Sequence, residues 1–145
     1  MRRKDKEITD RDIIDSIIIE SKVCRLGLSE ENQSYIVPLS FGYDGSSLYF
    51  HGFPEGKKID ILRKNSNVCF EFDSDSEPIQ SDSACSWSVR YKSVIGYGKA
   101  RFIEDIDSKI RALEIIMGHY SEQSFAYPEK TVEKIAVIQV DIETI

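Results

Sequence analysis

The residues best suited to chemistry lie in one stretch, at positions 49–58. There a strand-like apolar run ends on His51, the chain breaks at a glycine and a proline, and a helix predicted over residues 56–65 begins with Lys57 and Lys58. The first N–H groups of a helix have no internal partner and lie at the positive end of its dipole, so they can bind an anion. Lysines in this turn are unfavourable for the helix itself, which favours an anionic ligand, most simply a phosphate. The spacing alone leaves a simpler alternative open, in which both lysines are solvated beside a loop.

Length and charge exclude several classes of function. With 145 residues the chain can form a single domain with a buried core, which we expect to span residues 1–145. The net charge of −6 is spread along the chain and disfavours binding to nucleic acid or to anionic membranes. No apolar run approaches the length of a membrane span, and residues 1–7 lack the apolar core of a signal peptide, so we expect a cytoplasmic protein.

The cysteines and histidines argue against a metal site. The three cysteines are odd in number and share no C-x-x-C spacing, so they support neither a disulfide framework nor a zinc site. Cys24 and Cys69 follow valines in strand-like runs and are expected to be small buried hydrophobic residues, whereas Cys85 lies in a polar segment. His51 and His119 are too few for a histidine-based metal centre, and we assign His119 no function.

Helical periods predict two further helices. The first follows a capping box at residues 9–12 and runs to about residue 21; the second spans residues 105–120. Residues 129–133 are ambiguous. The apolar positions that we expect to face the core are Ile13, Ile14, Ile17 and Ile18 in the first helix, and Ile106, Ile110, Leu113, Met117 and Tyr120 in the second.

Six strand segments are predicted, at residues 23–28, 34–43, 47–51, 68–72, 86–103 and 135–142. Asp44-Gly45 is a hairpin signal, and the first three strands are expected to form an antiparallel meander. Residues 73–83 are acidic and serine-rich, which predicts an exposed, mobile loop. Gly96 and Gly98 indicate a bend or bulge that lets the sheet curl. The pattern therefore predicts a small antiparallel barrel with peripheral helices, in the mainly-β or α+β class.

Three motifs, in this order, resemble those of a known family. They are Tyr35-Ile36-Val37-Pro38-Leu39-Ser40-Phe41-Gly42-Tyr43, then Tyr49-Phe50-His51 with Gly56-Lys57-Lys58, then Tyr91-Lys92-Ser93-Val94-Ile95-Gly96-Tyr97-Gly98-Lys99-Ala100. Nearly the whole chain is similar to the pyridoxamine 5′-phosphate oxidase-like, FMN-binding split-barrel proteins, and within them to the 5-nitroimidazole resistance (Nim-like) proteins. The resemblance implies a six-stranded antiparallel split β-barrel of Greek-key type, and a homodimer that binds FMN at its interface.

The resemblance also implies roles for individual residues. Along the isoalloxazine ring would lie Pro38, Leu39, Ser40 and Phe41. The flavin and its phosphate would be reached by His51, Lys57 and Lys58, and further phosphate and ribityl contacts would come from Tyr91, Lys92 and Ser93. His51 matches the histidine that Nim-like proteins associate with their reactive centre, so it is the candidate catalytic residue.

Two points stay open at the level of single residues. Tyr49 and His51 share one face of a strand, where a planar ligand could lie, but Tyr49 could instead be cross-strand packing and His51 a polar cap. Tyr91 and Ser93 share a face opposite Lys92. We therefore expect the residues of one face to contact FMN and those of the other face to contact the dimer partner or solvent.

The resemblance favours an FMN-dependent oxidoreductase that reduces nitro compounds or similar small planar acceptors. In such an enzyme His51, with an ordinary pKa near 6.5, would donate a proton or orient the acceptor. One alternative is a non-catalytic flavin-binding redox sensor or carrier with the same pocket. Another is a pyridoxamine phosphate oxidase proper, which the scattered positions of the arginines disfavour. Fold resemblance does not choose among these functions, because function resides in the site.

Overall fold

The computed structural model describes residues 4–145, so the first three residues of the N-terminal segment considered above lie outside it. Short 3₁₀ turns occupy Lys4–Lys6 and Ala84–Ser86. The α-helices are α1 (Arg11–Glu20), α2 (Lys57–Lys64), α3 (Ile106–Tyr120) and α4 (Glu129–Val132). Within the described residues, no helix is long and apolar enough to cross a membrane.

The strands form one antiparallel sheet. They are β1 (Cys24–Glu30), β2 (Gln33–Leu39), β3 (Gly42–Tyr43), β4 (Ser47–Gly52), β5 (Asn67–Ile79), β6 (Ser88–Phe102) and β7 (Ala136–Thr144). Their order across the sheet is β2-β1-β5-β6-β7-β4-β3. Ser40 and Phe41 join β2 to β3, so the chain brings the two edges of the sheet together at this point. The predicted curled antiparallel sheet with peripheral helices is therefore confirmed, with seven strands instead of six.

Both hairpins of the predicted meander form, but its middle strand breaks, so the three predicted strands are not neighbours in one continuous meander. β2 pairs with β1, but it does not pair with β4, whose partners are β3 and β7. The single strand expected over residues 34–43 breaks because Phe41 is fully buried, with its ring 4.9 Å from that of Phe72. The Phe41 N–H donates to the Tyr120 hydroxyl at 3.0 Å, so α3 supplies a hydrogen bond at the break in the strand.

The prediction of a mobile loop over residues 73–83 is also wrong for most of that segment. β5 continues to Ile79 and pairs with the first residues of β6, with a register shift between Ser74 and Glu77. Asp75 and Glu77 form ion pairs with Lys92 and Arg90 on β6. Acidic residues that resemble a solvated loop in sequence are thus paired across a two-stranded arm, defined here as residues 74–79 and 88–92.

The core has two parts, one on each side of the sheet. The larger part lies on the inner face, where α1 and α2 pack against it, and its fully buried aromatic residues are Phe41, Phe50, Phe70 and Phe72. The smaller part lies between the outer face of β4 and β7 and helix α3. The predicted bulge in β6 is confirmed, because its register with β7 shifts between Tyr97 and Gly98. Both faces of the β4–β7 pair are therefore covered. This packing on both faces holds the end of β4 in place.

Helix α3 buries a face that overlaps the predicted one at Leu113 but is rotated from it. Lys109, Ala112, Leu113 and Ile116 are buried, whereas Ile106, Ile110 and Met117 are only partly so. Lys109 is 7% exposed, and its ammonium donates to the carbonyls of Ile135 (2.8 Å) and of two residues at the end of α4. Its methylene chain can be buried because the ammonium donates hydrogen bonds to carbonyls that would otherwise lack donors.

Candidate functional site

The fold brings His51, Lys57 and Lys58 together at the N-terminal end of α2. β4 ends at Gly52, one residue after His51, and α2 begins five residues later with the two lysines. The Lys57 ammonium lies 4.6 Å from the centre of the Tyr35 ring on β2, so the first turn of α2 lies between the end of β4 and the edge strand β2. We call this group of five residues, Tyr35, His51, Gly52, Lys57 and Lys58, the α2 corner.

His51 has a buried ring nitrogen without a partner, and the half-buried Lys58 beside it has no carboxylate partner among the described residues. The Nδ1 atom of His51 is buried and has no hydrogen-bond partner in the described part of the chain. The Lys58 ammonium lies over Gly52, where a Cβ would be 3.3 Å from its Nζ atom. Burial lowers the pKa of Lys58, and no carboxylate within residues 4–145 pairs with it. A half-buried ammonium without a carboxylate and a buried ring nitrogen without a hydrogen bond are both unfavourable. An added anion could pair with both, so the α2 corner is suited to one.

The protonation of His51 differs from the ordinary value assumed from the sequence. Burial, and then the positive charge of Lys58, lower the pKa of His51 below 6.5. In the free protein at neutral pH the imidazole is therefore mainly neutral, with one nitrogen able to donate and the other able to accept. An anion beside Lys58 would act in the opposite direction and favour the charged imidazolium.

Tyr49 lies on the same face of β4 as His51 but is covered. Its side chain is 9% exposed and packs beneath α3 with Ile103 and Val137. Its hydroxyl donates to the Asp44 carboxylate at 2.7 Å, and burial together with this bond raises the pKa of Tyr49 to about 12. The packing alternative considered for Tyr49 fits this environment, and its ring offers little surface to a planar ligand.

The segment 38–41 presents only part of its side chains to the surface. Pro38 and Ser40 are exposed, Leu39 is half-buried and Phe41 is fully buried. β2 is an edge strand of the sheet, so one of its sides has backbone groups that no neighbouring strand pairs. Any ligand along this segment would meet these backbone groups and the side chains of Pro38 and Ser40, not the Phe41 ring.

Tyr91, Lys92 and Ser93 lie where the arm joins the rest of the sheet. Tyr91 is 59% exposed and shares the outer face with Ser93, and Lys92 points to the other face, where its ammonium is 3.1 Å from Asp75. His51 is opposite Val137 on β7, and the next residue of β7 is opposite Phe102 on β6. Ser93 is therefore about ten residues along β6 from the level of His51, or roughly 30 Å at 3.3 Å per residue. Within the described residues, no hydrogen bond or ion pair joins these three residues to the α2 corner.

Sequence reasoning missed Tyr35 as a member of the α2 corner. Its contact with Lys57 joins residues that are 22 positions apart, and no local pattern marks it. Sequence reasoning also missed a second concavity, a cleft of about 500 Å³ between the start of α3 and the outer face of the sheet. Tyr49, Arg101 and Gln139 line this cleft, and Arg101 donates to Gln139 at 2.7 Å. Of the predicted site residues, Tyr49 alone contributes to it.

Comparison with known families and structures gives consistent matches. The pyridoxamine 5′-phosphate oxidase family model matches residues 10–145. A protein of Bacteroides thetaiotaomicron VPI-5482, described as a candidate 5-nitroimidazole antibiotic resistance protein, is 39% identical, with a TM-score of 0.85. That match covers 94% of this chain and 81% of the other.

More distant matches share the fold. The FAD and heme binding protein from Mycobacterium smegmatis is 18% identical, with a TM-score of 0.84 and coverage of 93% of this chain and 67% of that one. The flavocytochrome Anf3 from Azotobacter vinelandii is 20% identical, with a TM-score of 0.81 and coverage of 93% and 64%. An uncharacterized protein of Rhizobium meliloti (strain 1021) is 30% identical over 64 residues, which are 44% of this chain and 42% of that relative.

Proposed function

The chain belongs to the pyridoxamine 5′-phosphate oxidase family, and from this membership we propose that it is an FMN-binding oxidoreductase that reduces nitro compounds or similar small planar acceptors. The observation that carries the cofactor proposal is the buried Nδ1 atom of His51, which has no hydrogen-bond partner, beside the half-buried Lys58, which has no carboxylate partner among the described residues. A phosphate would supply that group, and the α2 N-terminus would add backbone N–H donors. The acceptor class follows the description of the Bacteroides relative.

The residues of the corner have separable tasks in this proposal. Lys57, Lys58 and the first N–H groups of α2 would bind the phosphate. His51 would orient the acceptor or hold the proton that the acceptor receives. A bound flavin would supply the electrons, and the protein would hold it and control access to its face. Pro38 and Ser40, on the exposed edge of β2, are the side chains of their segment that remain available to contact the ring system.

The arginines support a reductase over a pyridoxamine phosphate oxidase proper. Such an oxidase would need a second cluster of cations for the phosphate of its substrate. Three arginines that lie near the sheet are already paired: Arg25 with Glu71 and Asp73, Arg90 with Glu77, and Arg101 with Asp141. Each of these three arginines has a carboxylate partner, so none of them is free to bind a second phosphate. Arg111, which lines the cleft of about 500 Å³ together with Arg101, donates to the Ser108 hydroxyl at 3.2 Å.

The cofactor proposal is tested by replacing both Lys57 and Lys58 with alanine. Because charge-assisted contacts to phosphate contribute about 1.5–3 kcal/mol each before screening, FMN should bind at least about tenfold more weakly. Riboflavin, which lacks the phosphate, should be affected much less. The measurement is the dissociation constant of each flavin, determined from the quenching of its fluorescence.

Lys64→Ala is the matched control, because Lys64 lies at the other end of the same helix and pairs with Glu30. This variant should bind FMN as the wild type does. If FMN and riboflavin lose affinity equally in the double variant, the lysines act through the fold and the phosphate assignment is wrong. Turnover of NAD(P)H with a nitroimidazole then distinguishes an enzyme from a non-catalytic flavin carrier.

We also propose that the protein is a homodimer with the flavin at the interface. Four apolar residues at alternate positions on the outer face of β6 are 48–59% exposed: Val89, Tyr91, Ile95 and Tyr97, which we call the β6 stripe. Ile36 is 68% exposed and lies on the same face, across β1 and β5 from Tyr97. A contiguous apolar surface of this kind is typical of an interface. A two-fold partner would cover it and could bring Tyr91 and Ser93 towards the α2 corner of the other chain.

Sedimentation at micromolar concentration should therefore give about twice the chain mass of 16.6 kDa. Replacing Ile95 and Tyr97 together by lysine should give the mass of one chain, because like charges would meet across the two-fold axis. Ile19→Lys, on the equally exposed surface of α1, should leave the dimer intact. A wild-type monomer that binds FMN tightly would contradict the interface site.

A further inference from the structure

Two effects disfavour a charge on His51: burial, which is the larger, and the charge of one neighbour. Across the strand pair, Val137 lies opposite His51 and Ala136 lies opposite Gly52, so β7 presents apolar side chains. Helix α3 covers β4 through Tyr49 and adds no charge that acts on His51. On α2 the acting charge is the ammonium of Lys58.

The Lys57 ammonium contacts Tyr35, whereas the Lys58 ammonium lies beside Gly52. The Lys57 ammonium lies over the ring of Tyr35, at 4.6 Å from the ring centre, and it does not contribute to the field at His51. The two lysines are therefore not equivalent. Lys58 acts on the imidazole, whereas Lys57 lies against the edge strand of the sheet.

We propose that binding of an anionic group at the α2 corner is coupled to the uptake of a proton by His51, and that burial together with Lys58 keeps His51 neutral until the anion binds. The inference rests on the proposed function, in which the anion is the phosphate of a flavin. A doubly charged anion compensates the ammonium of Lys58 and attracts a positive imidazolium, so it reverses the field that disfavours the proton. The buried Nδ1 atom, which has no partner in the free protein, would then donate a hydrogen bond to the anion.

The direction of the pH dependence follows from this coupling. In the free protein the pKa of His51 is below 6.5, and in the complex it is raised. Below the free-state pKa both forms carry the proton, so His51 leaves the affinity unchanged with pH. Between the two pKa values the complex takes up a proton, so affinity falls as pH rises, by at most about tenfold per pH unit for one proton. Above the pKa of the complex, both forms are neutral and the contribution of His51 is again constant.

The test is a calorimetric titration of the flavin-free, full-length protein with FMN in buffers of different ionisation enthalpy. The slope of the observed heat against that enthalpy gives the number of protons taken up at each pH. The phosphate of FMN also titrates near neutral pH, so its contribution in each lysine variant is measured in the same variant carrying His51→Gln and is subtracted. We expect the wild type to take up more protons than His51→Gln at pH 6–7. Lys58→Met should reduce the difference, because the pKa of His51 in the free protein is higher without the ammonium and the ring then carries the proton more often before FMN binds.

Lys57→Met is the matched control: it should weaken FMN binding and leave the proton count unchanged. Riboflavin provides a measurement that needs no variant, because the uptake assigned to His51 should be absent when the ligand has no phosphate. Equal proton counts in wild type and His51→Gln, with FMN bound by both, would overturn the coupling and leave the cofactor proposal intact. No binding heat from the wild type in any buffer would overturn the cofactor proposal and the coupling together.

Discussion

Gly42→Ala is expected to lower the free energy of unfolding by about 3 kcal/mol, since it forces extra volume into a closely packed contact. A Cβ at Gly42 would lie 2.7–2.8 Å from backbone atoms of Ile115 and Ile116 in α3. Backbone atoms in the middle of a helix cannot move singly, so the whole of α3 would have to shift away from β3. Such a shift would loosen the smaller core, which contains Tyr49, Leu113 and Val137. Urea unfolding followed by circular dichroism measures the loss.

Gly118→Ala is the control for this substitution. Gly118 lies in the same helix, and a Cβ there would meet no atom within 4 Å. Since alanine is a better helix former than glycine, this variant should be more stable than the wild type by about 0.5–1 kcal/mol. If Gly42→Ala unfolds at the wild-type urea concentration, α3 does not pack on β3 as closely as described, and the support of segment 38–41 by α3 must be reconsidered.

The parts of the fold that local chemistry specifies could be predicted from the sequence. Helix α2 and the Asp44-Gly45 turn are encoded within a few residues, and they lie where they were expected. The pairing of β4 with β7 joins residues about 90 positions apart, and nothing within either strand specifies the partner. The break at Phe41 depends on Phe72 and on the Tyr120 hydroxyl, and both are distant in sequence. Tertiary packing therefore overrode a run of residues that, taken alone, favours one continuous strand.

In the candidate site, too, some features follow from local sequence and others depend on tertiary packing. His51, Lys57 and Lys58 lie within eight residues of one another, so the β4–α2 connection alone brings them together. The burial of His51 and the position of Tyr35 depend on how α2 packs against the sheet, which the sequence pattern does not specify. Tyr49 shares a face with His51 as the alternation predicts, but the helix that covers it begins more than fifty residues later. Alternation indicates which face a side chain occupies, not what else packs on that face.

His51→Ala is expected to slow the reduction of a nitroaromatic acceptor by roughly 10²-fold, if His51 supplies a proton in the rate-limiting step. His51 is half-buried at the end of a strand and its Nδ1 atom has no partner, so truncation should change the free energy of unfolding by less than about 1 kcal/mol. The comparison is therefore between two folded proteins. The measurement is the rate at which reduced, flavin-loaded protein is reoxidised after rapid anaerobic mixing with the acceptor.

The pH profile of this rate distinguishes proton donation from simple positioning. If His51 is the donor, the wild-type rate should fall as pH rises through the pKa of His51 in the flavin-loaded protein, because the neutral ring is the weaker acid. His51→Ala should lack this fall, and His51→Gln should match His51→Ala, because glutamine can hydrogen-bond to the acceptor without donating a titratable proton. A fast, pH-independent His51→Gln variant would show that His51 only orients the acceptor. Equal rates in wild type and His51→Ala, at full flavin occupancy, would mean that His51 has no part in the reaction, and its lowered pKa would then reflect only its burial and its position beside Lys58.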